Sequence, residues 1–372
     1  MIRSAAAFSQ DEVHARAVGE VVGQIGDRLT APPDMLMVFA TPHHLDTMSQ
    51  ALSTIRTLLN PRVMVGCISN EVHGSGFVTA GRPGLSVLGI RFDQDVSAVR
   101  LETIPAHDSL LVTGGHQFNE LEGTLILVGD LNTFSARALF ASINEQTPDI
   151  SIVGGFSDIV SVSKSPLLFL DEERFSDGAV GVWLPSSIRV VSKALDDFVP
   201  LGQPFVVTKA AKNAVFELAG RPALERFNGV LERLNDQEKQ LLSHGVYLGR
   251  AIRESADEHT ASEFVLTNVL GADRSIGAIA VDQELPIGET VQFHVHDHDR
   301  MQLGLNFQAA ATLMFSSGHR GATVTGALEH LSGVVGELRH GAAGMVCAGQ
   351  FARVNGVNHV HSVATAIAEF SQ

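Results

Sequence analysis

One order of elements, strand–helix–strand–glycine-rich loop–strand, can be read three times along this chain. Internal repetition of that kind means one supersecondary unit used several times, and it limits the folds open to the sequence. The first copy begins with Met35–Ala40, a continuous apolar run as expected of a strand buried on both faces. Leu45, Met48, Leu52, Ile55 and Leu59 then mark a helix, closed by Pro61. Val63–Cys67 reads as the second strand, Ser69–Gly84 as the glycine-rich stretch, and Leu85–Phe92 as the third strand. The second copy has strands at Thr124–Val128, Ile150–Gly155 and Phe175–Leu184. Its helix is expected over Thr133–Glu145, with Phe134, Ala138, Ala141 and Ile143 inward. The third copy has strands at Ala311–Phe315, Ala342–Val346 and His361–Phe370. Val324, Leu328, Leu331, Val335 and Leu338 mark its helix. The spacing between copies is too irregular for a solenoid.

Outside the copies, Ser9 and Glu12 form a capping-box pattern. Val13, Ala17, Val21, Ile25 and Leu29 continue it as a helical stripe that Pro32-Pro33 ends. A different region runs from about Ser186 to Asn306. Strands are expected there at Ile188–Val191, Phe205–Thr208, Phe264–Leu270, Ala278–Val281 and Val291–His298. Helices are expected at Ala214–Ala219, Pro222–Leu234 and Asp236–His244. The natural cut lies near Leu184–Val190, giving domains at 1–186 and 187–372. The fold class is mixed α/β: sheets built from strand–helix–strand–strand units, packed face to face between helical layers, in two lobes. The first two copies are expected in one half, and the third copy with the middle region in the other, with a cleft between them.

Composition narrows the function. The formal net charge is −15, and a phosphate-backbone binder needs a basic surface, so nucleic acid is not expected as a partner. Two cysteines, Cys67 and Cys347, exclude a disulfide framework and a cysteine-rich zinc site. The longest apolar runs are too short to span a bilayer, and the N-terminus lacks the apolar core of a secretory signal. Membrane insertion is therefore not expected, and the expected location is the cytoplasm. No Walker loop, nucleophile elbow or dinucleotide fingerprint follows a strand, so no cofactor and no catalytic residue is assigned.

The strand ends carry the best polar candidates: Ser69, Asn70 and Glu71; Ser157 and Asp158; and Gln350. In open α/β sheets, ligands sit beyond strand ends, where backbone groups are free. The alternative is that the glycines there serve only tight turns. Ser316, Ser317, His319 and Arg320 form a loop in which Arg320 can clamp a carboxylate, with a following helix N-terminus favouring the same anion. The alternative is a solvated arginine on a turn. Asn358 and His361 precede the last strand. His294, His296 and His298 share one face of a strand, but same-face neighbours lie about 7 Å apart, too far to share a metal easily. An exposed strand end is the expected reading, and no metal is assigned. Cys67 and Cys347 are nucleophile candidates, with Cys67 expected buried and inert.

Several segments in order resemble the FIST family, the F-box and intracellular signal transduction sensory domains with FIST-N and FIST-C halves. In the first half these are Asp34–Ala40, Val65-Gly66-Cys67-Ile68-Ser69 and Ile152-Val153-Gly154-Gly155-Phe156-Ser157. In the second they include Glu217–Leu224, Asn268–Asp273, Met314–Gly321 and Asn358–Thr365. The resemblance implies a sensory module for small ligands such as amino acids. The chain departs from it by lacking a cysteine at Ser317, and by having Gly349-Gln350-Phe351-Ala352-Arg353 where the family has Gly-Glu-Ile-Gly-Pro. An amide thus replaces an acid near the implied pocket, which weakens cation binding through that position. No kinase, cyclase or F-box segment is present in the sequence, so a separate signalling protein is the expected output partner. The leading expectation is a sensor for a small polar metabolite, an amino acid or carboxylate. An enzyme using Cys or His at the strand ends and a ligand-free interaction scaffold stay open, as does an oligomer.

Overall fold

A computed structural model of the protein describes residues 2–74, 76–107, 109–114, 122–159, 167–195, 198–252, 264–297, 300, 305–318, 333, 335–336, 338 and 341–371. The chain opens with β1 (Arg3–Ser9) and α1 (His14–Arg28). The first copy follows: β2 (Met35–Ala40), α2 (Met48–Leu59), β3 (Val63–Ile68), the hairpin β4 (Val72–Gly74) and β5 (Phe77–Val78), then β6 (Leu85–Arg91). Next come β7 (Ser97–Ala106) and β8 (Ser109–Thr113). The second copy is β9 (Glu122–Gly129), α3 (Ala136–Gln146), β10 (Asp149–Ser157), β11 (Leu168–Leu170), β12 (Glu173–Phe175) and β13 (Ala179–Pro185). After β14 (Val190–Ala194) the middle region gives β15 (Phe198–Ala211), β16 (Ala214–Leu218), β17 (Arg221–Pro222), α4 (Ala223–Leu231) and α5 (Asp236–Leu241). It continues with β18 (Val246–Ala251), β19 (Phe264–Asp273), β20 (Ala278–Val281) and β21 (Thr290–His296). The third copy supplies β22 (Ala311–Ser317), β23 (Ala342–Val354), β24 (Val357–His361) and β25 (Thr365–Phe370).

The copies share one pairing scheme. The first two strands of each pair in parallel, β2 with β3, β9 with β10, and β22 with β23. The closing strand lies antiparallel on the other side of the first: β6 on β2, β13 on β9, β25 on β22. A preceding strand flanks each closing strand: β1, β7 and β14. One glycine marks the same register position in all three. Gly66 faces Val38, Gly154 faces Leu127 and Gly344 faces Met314. A Cβ there would lie 1.7, 1.8 and 1.9 Å from the facing carbonyl oxygen, so only glycine lets the parallel strands meet.

The second and third copies form one continuous sheet, because β10 and β23 pair antiparallel edge to edge. The halves of the chain therefore interleave: the first copy builds the facing six-stranded sheet. The two sheets pack face to face over an apolar core in which Phe39 meets Phe315 edge-on, ring centroids 6.0 Å apart. Helices α1 and α2 cover the outer face of the first sheet, and α3 covers the second copy. Val335 and Leu338 do the same on the third copy; the rest of the helix expected there lies outside the described residues. Two connectors cross between the sheets: β11 extends the first by pairing with β3, and β4 pairs with β23 in the second.

The middle region is inserted between β14 and β22, which both belong to the third copy's sheet. Its strands run β15–β21–β18–β19–β20–β16 and close through a β15–β16 pairing, so this small barrel has its own core around Phe205, Phe293 and Val281.

Three local expectations are corrected. Ala214–Ala219 is not helical; Ala214–Leu218 is strand β16, since closing the barrel pairs it with β15 and β20. Ser9 does not cap α1. It ends β1 and its hydroxyl donates to Glu20 at 2.5 Å, while Val13 is the N-cap with no side-chain cap. The stripe shifts accordingly: Val13 is exposed, and Val18 joins Ala17, Val21 and Ile25 inside.

Candidate functional site

The strand ends of all three copies meet at one seam. Ser69, after β3, donates from Oγ to the Val346 carbonyl of β23 at 2.7 Å, with Asp158 Oδ1 at 2.9 Å. Ser157, ending β10, donates to the Ile68 carbonyl at 2.8 Å. Asp158 Oδ1 also accepts the Asn70 backbone N–H at 2.8 Å, and Asn70 Nδ2 donates to the Asp158 carbonyl at 3.2 Å. Glu71 accepts from Val346 N–H through its carbonyl at 2.9 Å, and its carboxylate takes the Gly81 N–H at 2.7 Å and the Thr79 hydroxyl. Burial raises the Asp158 carboxyl, and the bonds from Asn70 and Ser69 partly offset that. The structure thus brings Ser69, Asn70, Glu71, Ser157 and Asp158 together, and their polar atoms are largely spent on each other.

Cys67 and Cys347 lie under this seam, fully buried. Cys67 Sγ sits 3.0 Å from Met345 Sδ. Burial pushes both thiols well up, Cys347 further by the nearby Cys67 and Asp158, so neither is a thiolate near neutrality.

A cavity of about 430 Å³ opens where the sandwich meets the barrel. The first turn of α3 (Ala136, Arg137), the end of β10 (Phe156), β23 at Gly349 and β24 at His361 form one side; Asp282 and Gln283 of the barrel form the other. Phe134 and Phe156, edge to face with centroids 6.4 Å apart, give it an apolar floor. Ser135 caps α3 by accepting the Ala138 N–H at 3.4 Å, so the positive end of the helix dipole points here. Arg137 donates to Gln283 Oε1 at 2.6 Å, and Gln283 Nε2 donates to Ser362 Oγ. Asp282 is held by Thr267 and by Asn268, whose backbone N–H donates to Oδ1 at 3.1 Å. A second groove of about 480 Å³ lies on the barrel beside α4, but Arg221 there is paired with Glu225 and Arg226 with the Leu218 and Ala219 carbonyls.

Among the described residues His361 is the one expected site residue in the cavity wall, and Gln350 stands directly opposite it in the β23–β24 ladder. Burial, with His359 nearby, drives the His361 ring down to about 3, so it is neutral. Asn358 serves the framework instead, since its side chain bonds Ile152, Ile150 and Asn144 and fastens β24 to the second copy. Ser317 Oγ donates to the Ser362 carbonyl at 3.1 Å, and Ser316 is buried beside Thr365 in the β22–β25 ladder. His319 and Arg320 lie outside the described residues.

His294 and His296 are not at an exposed strand end. Both are fully buried, because β21 is a central barrel strand whose outer face packs Phe264 and Phe198 against these rings. His298 lies outside the described residues. Among the described residues no group of three or more His, Cys, Asp or Glu converges on a metal position. No helix among them is long and apolar enough to cross a membrane. Sequence reasoning missed Arg137 and the Asp282-Gln283 pair, which lies far from it in the chain; the serine ahead of α3 was the available signal for a helix N-terminus.

The chain is 29% identical over 376 residues to an uncharacterized protein of Mycobacterium bovis, covering 95% of each. A Mycobacterium tuberculosis protein of the same description is 27% identical over 376 residues, covering 95% of this chain and 96% of the relative. The FIST N domain model matches residues 34–221 and the FIST C domain model residues 223–353, meeting inside the barrel. FIST domains are associated with sensing in signal transduction, and this chain belongs to the FIST family.

Proposed function

We propose that this protein is a sensor that binds a free amino acid in the cavity between α3 and the barrel. The observation that carries the reading is a guanidinium and a carboxylate on opposite sides of one cavity, Arg137 at a helix N-terminus and Asp282 on the barrel, above an apolar floor. An α-carboxylate suits Arg137 and the helix end. An α-ammonium suits Asp282, and the floor suits aliphatic carbons. The burial of both cysteines speaks against their use as nucleophiles. Because the cavity has one side on the sandwich and the other on the barrel, occupancy would alter how they meet, and a separate signalling protein in the cytoplasm would read that change.

The test is a thermal-shift and calorimetric screen of the common amino acids and small carboxylates. At least one amino acid should raise the melting temperature, and Arg137→Ala should weaken its binding about tenfold or more. A panel in which no amino acid or carboxylate binds would sink the reading.

A further inference from the structure

The guanidinium that suits a ligand carboxylate is already engaged. Arg137 Nη2 donates to Gln283 Oε1 at 2.6 Å, and Gln283 Nε2 donates to Ser362 Oγ. Arg137, Gln283 and Ser362 all line the cavity. The bonds run from the first turn of α3, through the barrel residue that follows β20, to the turn between β24 and β25. Ser317 Oγ in turn donates to the Ser362 carbonyl at 3.1 Å, which holds that turn to β22. Gln283 thus ties the barrel to the sandwich at both ends of one carboxamide.

A guanidinium offers a carboxylate two forks, the Nη1–Nη2 edge and the Nε–Nη2 edge. Both include Nη2, the nitrogen that Gln283 holds. A carboxylate in either fork therefore puts an anionic oxygen beside the Gln283 oxygen, and two acceptors at one nitrogen repel. The carboxylate wins that contest, because its charge strengthens the bond to a guanidinium beyond what a neutral amide oxygen can give. The loser is easily accommodated. Gln283 is uncharged and only half-buried, and Arg137 is exposed, so water can take up the released carboxamide.

We propose that Gln283 is a built-in competitor for the Arg137 guanidinium: its carboxamide oxygen occupies the place that a ligand carboxylate takes at Nη2, and binding breaks the Arg137–Gln283 tie between sandwich and barrel. This rests on the cavity being an amino-acid site. The competitor lowers the affinity of that site and turns its occupancy into a loosened contact between the two units.

Calorimetric titration of the wild-type protein, Gln283→Ala and Gln283→Glu with the common L-amino acids tests it, with circular dichroism to check that the variants fold. Gln283→Ala removes the competitor and should bind the preferred amino acid about threefold or more tighter than wild type does. Gln283→Glu replaces it with a carboxylate that pairs with Arg137, and should bind at least about tenfold weaker. Loss of a merely structural wall residue would not tighten binding. An alanine variant that binds no tighter than wild type would overturn the inference and leave the amino-acid reading standing. A glutamate variant that binds as tightly as wild type would overturn it as well. An amino acid that binds only the alanine variant would support it. If no amino acid binds either the wild type or the alanine variant, the cavity reading fails and the inference fails with it.

Discussion

Asn358 Oδ1 accepts the backbone N–H of Ile152 at 2.8 Å, while its Nδ2 donates to the Ile150 carbonyl at 2.9 Å and to Asn144 Oδ1 at 3.1 Å. One buried side chain thus joins β24 of the third copy to β10 and α3 of the second. It supplements the β10–β23 pairing that fuses the two copies, and does so just behind the cavity.

Asn358→Ala should destabilise the protein by about 2–4 kcal/mol, because it strands a backbone donor and a backbone acceptor in the interior. Asn358→Asp keeps an acceptor for Ile152 but loses both donors, and should be no better. Urea unfolding measures this. A loss under about 0.5 kcal/mol for the alanine variant would show that the join does not depend on Asn358.

The three register glycines predict an effect of opposite sign to that of glycines elsewhere. Gly66→Ala, Gly154→Ala and Gly344→Ala each drive a methyl into a backbone carbonyl that cannot move without breaking a parallel ladder. Each should cost about 4 kcal/mol or more, or prevent folding. Gly19, on the exposed side of α1, has nothing within 4 Å of where an added methyl carbon would stand. Gly19→Ala should therefore stabilise by up to about 1 kcal/mol through helix propensity. Denaturation midpoints of the four variants decide it; a tolerated Gly154→Ala would mean that the copies do not need this close approach.

Asp158 supplies a prediction about charge. Burial raises its carboxyl, and a raised acid stabilises below its unfolded pKa of 3.8 and loses that contribution as pH rises through the folded value. The ionised carboxylate is then the costly form. Asp158→Asn keeps an oxygen for the Asn70 N–H and the Ser69 hydroxyl without the charge. Its melting temperature relative to wild type should rise as the pH is taken from the acid range to neutrality. A difference that is flat with pH would mean that Asp158 is better solvated than its position behind Ser69 and Asn70 implies.

What could be read from the sequence follows the range of the forces involved. Met35–Ala40 and its counterparts are legible because a strand buried on both faces must be continuously apolar. The threefold unit is legible because its order recurs. Arg3–Ser9 escapes notice because alanine has low strand propensity, and β1 exists only because β6 offers it an edge. Ala214–Leu218 fits either state over so few residues, and barrel closure decides it. The β10–β23 pairing is invisible locally, since both strands are apolar whatever they pair with. At the site, His361 could be picked out as a polar residue at a strand end. Arg137, Asp282 and Gln283 come together only once the barrel docks, so no spacing in the chain records them.

The buried histidines predict how stability depends on pH. His44, His73, His294 and His359 are held at about 4 and His361 at about 3, in each case chiefly by desolvation. Their folded values lie below the ordinary histidine value of 6.5 that the unfolded chain keeps. Above that value neither state is protonated and they cost nothing. As pH falls from there toward about 4, the unfolded state takes up protons that the folded state refuses, and stability drops. Each site contributes a slope of up to about 1.4 kcal/mol per pH unit in that window. Asp158 and Asp34, both raised by burial, oppose this, but only where carboxylates titrate. Denaturant midpoints should therefore be nearly flat above the histidine range and fall steeply below it. His294 lies against Phe264 in the barrel seam, away from the cavity wall. His294→Phe should remove one site's share of the slope and leave the curve at higher pH nearly parallel to wild type. An unchanged slope would mean that the His294 ring is open to water, or reached by a counter-charge, in the folded protein.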